Sequence, residues 1–184
     1  MDVLTRLRRA ALIVGTLLAL ASGGVVSAQE TIEPDVKAAF LFNFTRFIEW
    51  PGPAAPGSAP FRICVVADAT MELAIKRTVE GEVVQGRPLI MTQPRTPQEA
   101  AGCQILFIGR TEYQRSGALL AAVRELPVLT VGDSAQFVEH GGAIEFVLVD
   151  NRVRFDVNLA SAQRANLKVS ANLLRVARKV EPNR

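Results

Sequence analysis

The sequence predicts an α/β fold: a single-domain three-layer α/β/α sandwich over a mixed, mostly parallel sheet that ends in an antiparallel hairpin. Three observations predict it. Short apolar runs bounded by Gly or Pro, among them Gln104 to Ile108 and Val128 to Val131, have the composition of strands buried on both faces. Helix-start patterns follow them, at Thr96-Pro97-Gln98-Glu99, Thr111-Glu112-Tyr113-Gln114 and Asp133-Ser134-Ala135-Gln136. Near the end, Ile144 to Val149 and Arg152 to Val157 alternate around Asp150-Asn151, the pattern of a hairpin with one wetter face.

The first residues bear on compartment. Arg6, Arg8 and Arg9 precede the apolar run Ala10 to Ala21, and Val26-Ser27-Ala28 places small residues before Gln29. This is the layout of a secretory signal peptide, so residues 1–28 are expected to be cleaved and residues 29–184 to form one exported domain. The apolar run falls short of the roughly 20 residues a membrane span needs. The whole chain carries a formal net charge of +3. The mature 156 residues keep 18 basic and 17 acidic side chains, a nearly balanced set. No basic stripe with interleaved aromatics occurs, so nucleic acid is not an expected partner. A chain of this length can bury a sizeable core.

From Lys37 to Pro51 the chain crowds Phe40, Phe42, Phe44, Phe47 and its only Trp, Trp50. As a helix over 35–50, Phe40, Asn43, Phe44, Phe47 and Trp50 share one broad face, expected to be buried in the core. Pro34 suits the first turn and Pro51 stops the helix. Pro51 to Pro60 is a breaker-rich loop. Phe61 to Ala67 is rich in β-branched residues and reads as a strand, Met71 to Thr78 as a helix. Val83 to Gln85 and Leu89 to Thr92 flank Gly86-Arg87-Pro88 as a short strand pair. Helices are expected after each start pattern, the longest from Glu112 to about Arg124. The chain is expected to finish in helix, with Leu167, Ser170/Ala171, Leu174 and Arg178 on one face and Leu173, Val176 and Val180 widening its apolar side.

Two cysteines, Cys64 and Cys103, remain in an oxidising compartment. A disulfide is the natural reading, with two buried free thiols as the alternative. These two cysteines and the distant His140 do not make a good metal set, and no metal or cofactor is expected. Catalytic patterns are also missing: no nucleophile elbow, no Walker loop and no dinucleotide fingerprint occurs, so no enzyme activity is expected. His140-Gly141-Gly142 reads as a turn before a strand. Asp68, Gly109-Arg110 and Gly132-Asp133 each follow a strand, where open parallel sheets bind ligands; the alternative is strand-exit turns and helix caps, and the capping pattern at Asp133 favours it.

The stretch Lys37 to Phe44, followed by Phe47, Trp50 and Pro51, resembles the opening signature of the YfiR family of periplasmic proteins. The resemblance continues through Phe61 to Val66, Cys103 to Gly109, Leu129 to Asp133, Ile144 to Phe146, Asn158-Leu159 and Leu167 to Leu174, covering nearly all of the mature chain. It implies a periplasmic regulator: a protein that binds the sensor region of an inner-membrane diguanylate cyclase (YfiN-like) and lowers cyclic-di-GMP synthesis, with an outer-membrane lipoprotein (YfiB-like) able to sequester it. It also implies the Cys64–Cys103 bond. A second, C-terminal cysteine pair of that family has no counterpart here. The alternative function class is a periplasmic small-molecule binder. The contact surface is expected among exposed apolar groups near the C-terminal hairpin and helix, and a homodimer stays open as an assembly.

Overall fold

The computed structural model describes residues 32–52 and 59–182. The signal-peptide segment 1–28 and most of the Pro51–Pro60 loop lie outside them. The strands are β1 (Ile48–Glu49), β2 (Phe61–Val66), β3 (Val83–Val84), β4 (Arg87–Thr92), β5 (Ile105–Ile108), β6 (Leu129–Gly132), β7 (Ile144–Val149), β8 (Arg152–Asn158), β9 (Lys168–Val169) and β10 (Lys179–Glu181). The helices are α1 (Ile32–Phe47), α2 (Ala69–Val79), α3 (Pro97–Ala101), α4 (Gly117–Val123), α5 (Leu159–Arg164) and α6 (Ala171–Val176). Eight strands form one sheet in the order β10-β8-β7-β6-β5-β2-β4-β3, and β1 pairs separately with β9. Neighbours from β4 through β2, β5 and β6 to β7 are parallel. The β7–β8 hairpin is antiparallel, and β10 adds a parallel edge beyond it.

Alternation along the strands builds two cores. Ile63, Val65, Ile105, Phe107, Leu129 and Val131 face α1 and α2, packing on Leu41, Phe44, Met71 and Ile75. Cys64, Leu106 and Ile108 face the other way, onto Ala100 of α3 and Leu119 and Val123 of α4. Both faces of the central strands are therefore dry, which is why they are uniformly apolar. Cys64 and Cys103 are bonded across the second core, with Cα atoms 5.9 Å apart. The hairpin turns through Asp150 (φ 48°) and Asn151 (φ 57°), the double positive φ of a two-residue type I′ turn.

Four expectations change. First, α1 stops at Phe47, and Ile48–Glu49 leaves it as a strand against Lys168–Val169. Phe44 is completely buried, but Phe40, Asn43, Phe47 and Trp50 are only half-buried, because the burying face runs through Ala38, Leu41, Phe44 and Thr45. Trp50 sits edge-on to Phe61 at 5.0 Å, and its indole N–H donates to the Gln104 carbonyl at 3.1 Å. Second, the long helix from Glu112 is a single 3-10 turn, Tyr113–Arg115, followed by the short α4. The Ser116 hydroxyl donates back to the Glu112 carbonyl at 2.8 Å, local competition that serine offers to helix. Third, no helix follows Asp133; residues 135–141 run in turns. Fourth, the terminal helix is replaced by α5, β9, α6 and β10. Asn166, at φ 54°, ends α5 with a left-handed residue, and Arg178 turns inward to grip Asp156 through both carboxylate oxygens. That pairing, above all the hydrogen bond, raises the Arg178 pKa above the ordinary arginine value and ties β10 to the hairpin.

Candidate functional site

The chain reverses its direction of spreading between β2 and β5: β4 lies on one side of β2, and β5 with β6 on the other. Ligand sites of open α/β sheets form beyond the carboxyl ends of strands at such a switch point. Ala67-Asp68, Gly109-Arg110 and Asp133 meet there, lining a crevice of about 360 Å³ together with the first turns of α1. Gly109 lets the two strand exits approach closely: a Cβ on it would stand 3.0 Å from the Cβ of Ala67, tighter than ordinary contact.

The sequence brought Asp68, Arg110 and Asp133 to this place, but their roles divide. Asp68 caps α2, accepting from the Thr70 and Met71 amides at 3.0 Å each. Asp133 caps nothing. One of its carboxylate oxygens takes the Arg110 amide at 2.6 Å, and the other takes Lys37 Nζ at 2.5 Å. Lys37, 5% exposed, also meets Glu33 Oε1 at 2.6 Å, and Arg110 reaches the same Glu33 oxygen at 3.1 Å. Two cations and two carboxylates thus neutralise one another. The crevice has polar walls and no unpaired cation; the charge left over is the Asp68 carboxylate, held by two backbone amides. Lys37 and Glu33 escaped the sequence reading. Their signal was present in the i,i+4 acid–base pair and in a lysine on the apolar side of a Phe-rich helix.

Beside the crevice, across Glu33, lies a second concavity of about 370 Å³ with a different character. Val36 and Phe40 of α1 and Val153 of β8 form its floor, and Leu148 and Ile32 stand at its edge, 52% and 58% exposed. Arg152 and Arg154 flank it. Leu148 and Val149 are the solvent-exposed end of β7, carried past the core because the hairpin outruns the parallel strands. His140 lies in neither concavity. It lies within the 135–141 turns, its ring 6.2 Å from that of Tyr113. Among the described residues no group of three or more His, Cys, Asp or Glu is arranged for a metal ion, and no helix is long and apolar enough to cross a membrane.

An open α/β sheet whose crevice pairs off both of its cations and whose hairpin exposes an apolar groove has the features of a binding protein. The YfiR/HmsC-like family profile matches residues 34–178, and the chain belongs to that family. It is a family of periplasmic regulators of cyclic-di-GMP signalling, regulatory rather than catalytic. Among solved structures, a conserved domain protein from Vibrio cholerae O1 biovar El Tor superposes with a TM-score of 0.55 at 9% identity, over 81% of this chain and 60% of that one. The ABC domain in complex with L-Trp from Streptococcus pneumonia superposes with a TM-score of 0.48 at 11% identity, over 66% of this chain and 55% of that one. This chain therefore spans less than two thirds of either protein, and the Vibrio likeness concerns the fold alone.

Proposed function

We propose that residues 1–28 are removed on export and that the mature domain, 29–184, binds the periplasmic sensor region of an inner-membrane diguanylate cyclase and restrains it. Family membership across residues 34–178 carries this reading. The groove beside the hairpin supports it physically. An exposed apolar floor flanked by Arg152 and Arg154 suits a sensor-domain segment with an apolar stripe and an acidic border. Inhibition requires only that the inactive conformation of the cyclase be bound more tightly than the active one; about 1.4 kcal/mol of preference shifts the equilibrium tenfold. A lipoprotein that covers the same groove would relieve the inhibition by competition. The small-molecule reading draws on the strand-exit crevice, whose two cations are already paired with carboxylates.

Capture of membrane proteins by the tagged mature domain tests the reading. The expected result is retention of a diguanylate cyclase with a periplasmic sensor domain, and its loss with Leu148→Asp, a substitution at an exposed site that leaves the fold intact. Failure to retain any cyclase, or equal retention by Leu148→Asp, would contradict the proposed contact.

A further inference from the structure

On the sheet face that carries the disulfide, remote from the apolar groove, a cavity of about 250 Å³ opens between α4 and the 133–142 loop. Its floor includes Thr130, and its rim is formed by Tyr113, Arg124 and His140. Small side chains at Gly117, Ala121 and Gly141 leave the space open.

The loop wall is built with buried polar groups. Glu145, 7% exposed, accepts from the Gln136 and Val138 amides at 3.2 Å each, and Asn158 Nδ2 donates to the Val138 carbonyl at 2.8 Å. Burying a carboxylate is costly unless it is hydrogen-bonded, and here its bonds hold a non-helical loop in one shape. Phe137 is clasped between Gly132 and Gly142, where an added Cβ would stand 2.5 and 2.1 Å from its ring. The wall is therefore preorganised before anything binds.

Its chemistry is specific. The Tyr113 and His140 rings lie near-parallel, 23° apart, at the mouth. Arg115 is occupied by Glu112 at 2.8 Å, but Arg124 has no acidic partner among the described residues. On the floor, the Thr130 oxygen already accepts the Ala143 amide at 3.0 Å, and its hydroxyl proton is available to a ligand. Tyr113 meets Phe137 edge-on at 5.9 Å, which closes the inner end of the cavity. We propose that this cavity binds a small organic anion: a flat apolar body against Tyr113, Leu120 and Ala121, with its carboxylate on Arg124. The volume lies below the roughly 300–1,000 Å³ of drug-sized sites, so the ligand is a single-ring acid or smaller.

Benzoate is a suitable probe, with neutral benzamide as its control, titrated into the ¹⁵N-labelled mature protein. The expected result is saturable shifts centred on residues 120–124 and 140–142. Benzamide should bind at least about tenfold more weakly, and so should benzoate to Arg124→Gln, since a charge-assisted bidentate pair is lost in each case. Arg124 is exposed, and the spectrum of Arg124→Gln away from the cavity reports that the fold survives. No saturation below about 10 mM, equal binding of benzamide, or unchanged binding to Arg124→Gln would overturn the proposal. Shifts centred on Arg110 would also overturn it, by moving the anion to the strand-exit crevice. The titration needs no cyclase, so its outcome is independent of the proposed regulatory role.

Discussion

Phe44→Ala tests what the Phe-rich helix does. Phe44 is 0% exposed. Its ring stands 5.4 Å from Phe155 edge-on and 5.9 Å from Phe146 in a stacked arrangement, so it joins α1 to both strands of the hairpin. Truncation removes the transfer free energy of the ring and leaves a cavity in close-packed surroundings, a loss of about 3–5 kcal/mol. The two aromatic pairs, each worth about 0.5–1.5 kcal/mol beyond area, place it toward the upper end. Against a total stability of about 5–15 kcal/mol, that is a large share. Urea unfolding followed by Trp50 fluorescence reads it: with a slope of about 2 kcal/mol/M, the midpoint should fall by about 2 M. The half-buried Phe40 and Phe47 should cost less when truncated in the same way. A loss below about 1 kcal/mol for Phe44→Ala, or a larger loss for Phe47→Ala, would refute the assignment of this face to the core.

Cys64→Ser opens a disulfide that spans 39 residues; the chain-entropy argument gives a loss of about 4 kcal/mol, read as a melting temperature lower by about 10 °C. Intact mass of periplasmic protein showing two free thiols would contradict it. Lys37→Met leaves Asp133 buried with one cation fewer. Breaking a buried pair costs about 3–5 kcal/mol, but Arg110 still reaches Asp133 at 3.5 Å and Glu33 is partly solvated, so about 2 kcal/mol is expected from urea unfolding. Arg178→Ala strips the buried Asp156 of its partner, should cost about 2 kcal/mol, and should speed amide exchange in Lys179–Glu181. Because the Arg178 pKa is raised, its contribution is complete below the unfolded arginine pKa and is lost only as pH rises through the still higher folded value. Unfolding between about pH 6 and 9 should therefore show no loss from this arginine.

The strands were the legible part of the fold. Ile105 to Ile108 and Leu129 to Gly132 read as buried parallel strands because both of their faces are dry. The Asp150-Asn151 turn read as a hairpin because two residues tolerant of positive φ separate alternating runs. Misreadings arose where a distant group overrides a local pattern. Asp133-Ser134-Ala135-Gln136 has the spelling of a helix start, but Lys37, 96 residues away, claims the carboxylate. The spacing of Leu167, Leu174 and Arg178 fits a helix, but Lys168–Val169 pairs with Ile48–Glu49 and Arg178 is drawn to Asp156. The strand-exit crevice was legible as a place, since strand ends mark it; its ion pairing was not, because Lys37 and Glu33 come from a helix read only for its aromatic face. The loop-side cavity left no pattern, since Glu145 sits in an apolar strand and shows its purpose only where its oxygens meet the Gln136 and Val138 amides.

The most direct test of the central claim is intracellular cyclic-di-GMP in cells that lack the gene, compared with cells carrying an exported copy, a copy lacking residues 1–28, or an exported Leu148→Asp copy. The proposed restraint of a cyclase predicts that deletion raises cyclic-di-GMP and that only the exported wild-type copy lowers it again, the truncated copy staying on the wrong side of the membrane and the variant failing to dock. Unchanged cyclic-di-GMP on deletion, in cells shown to make the protein, would contradict it.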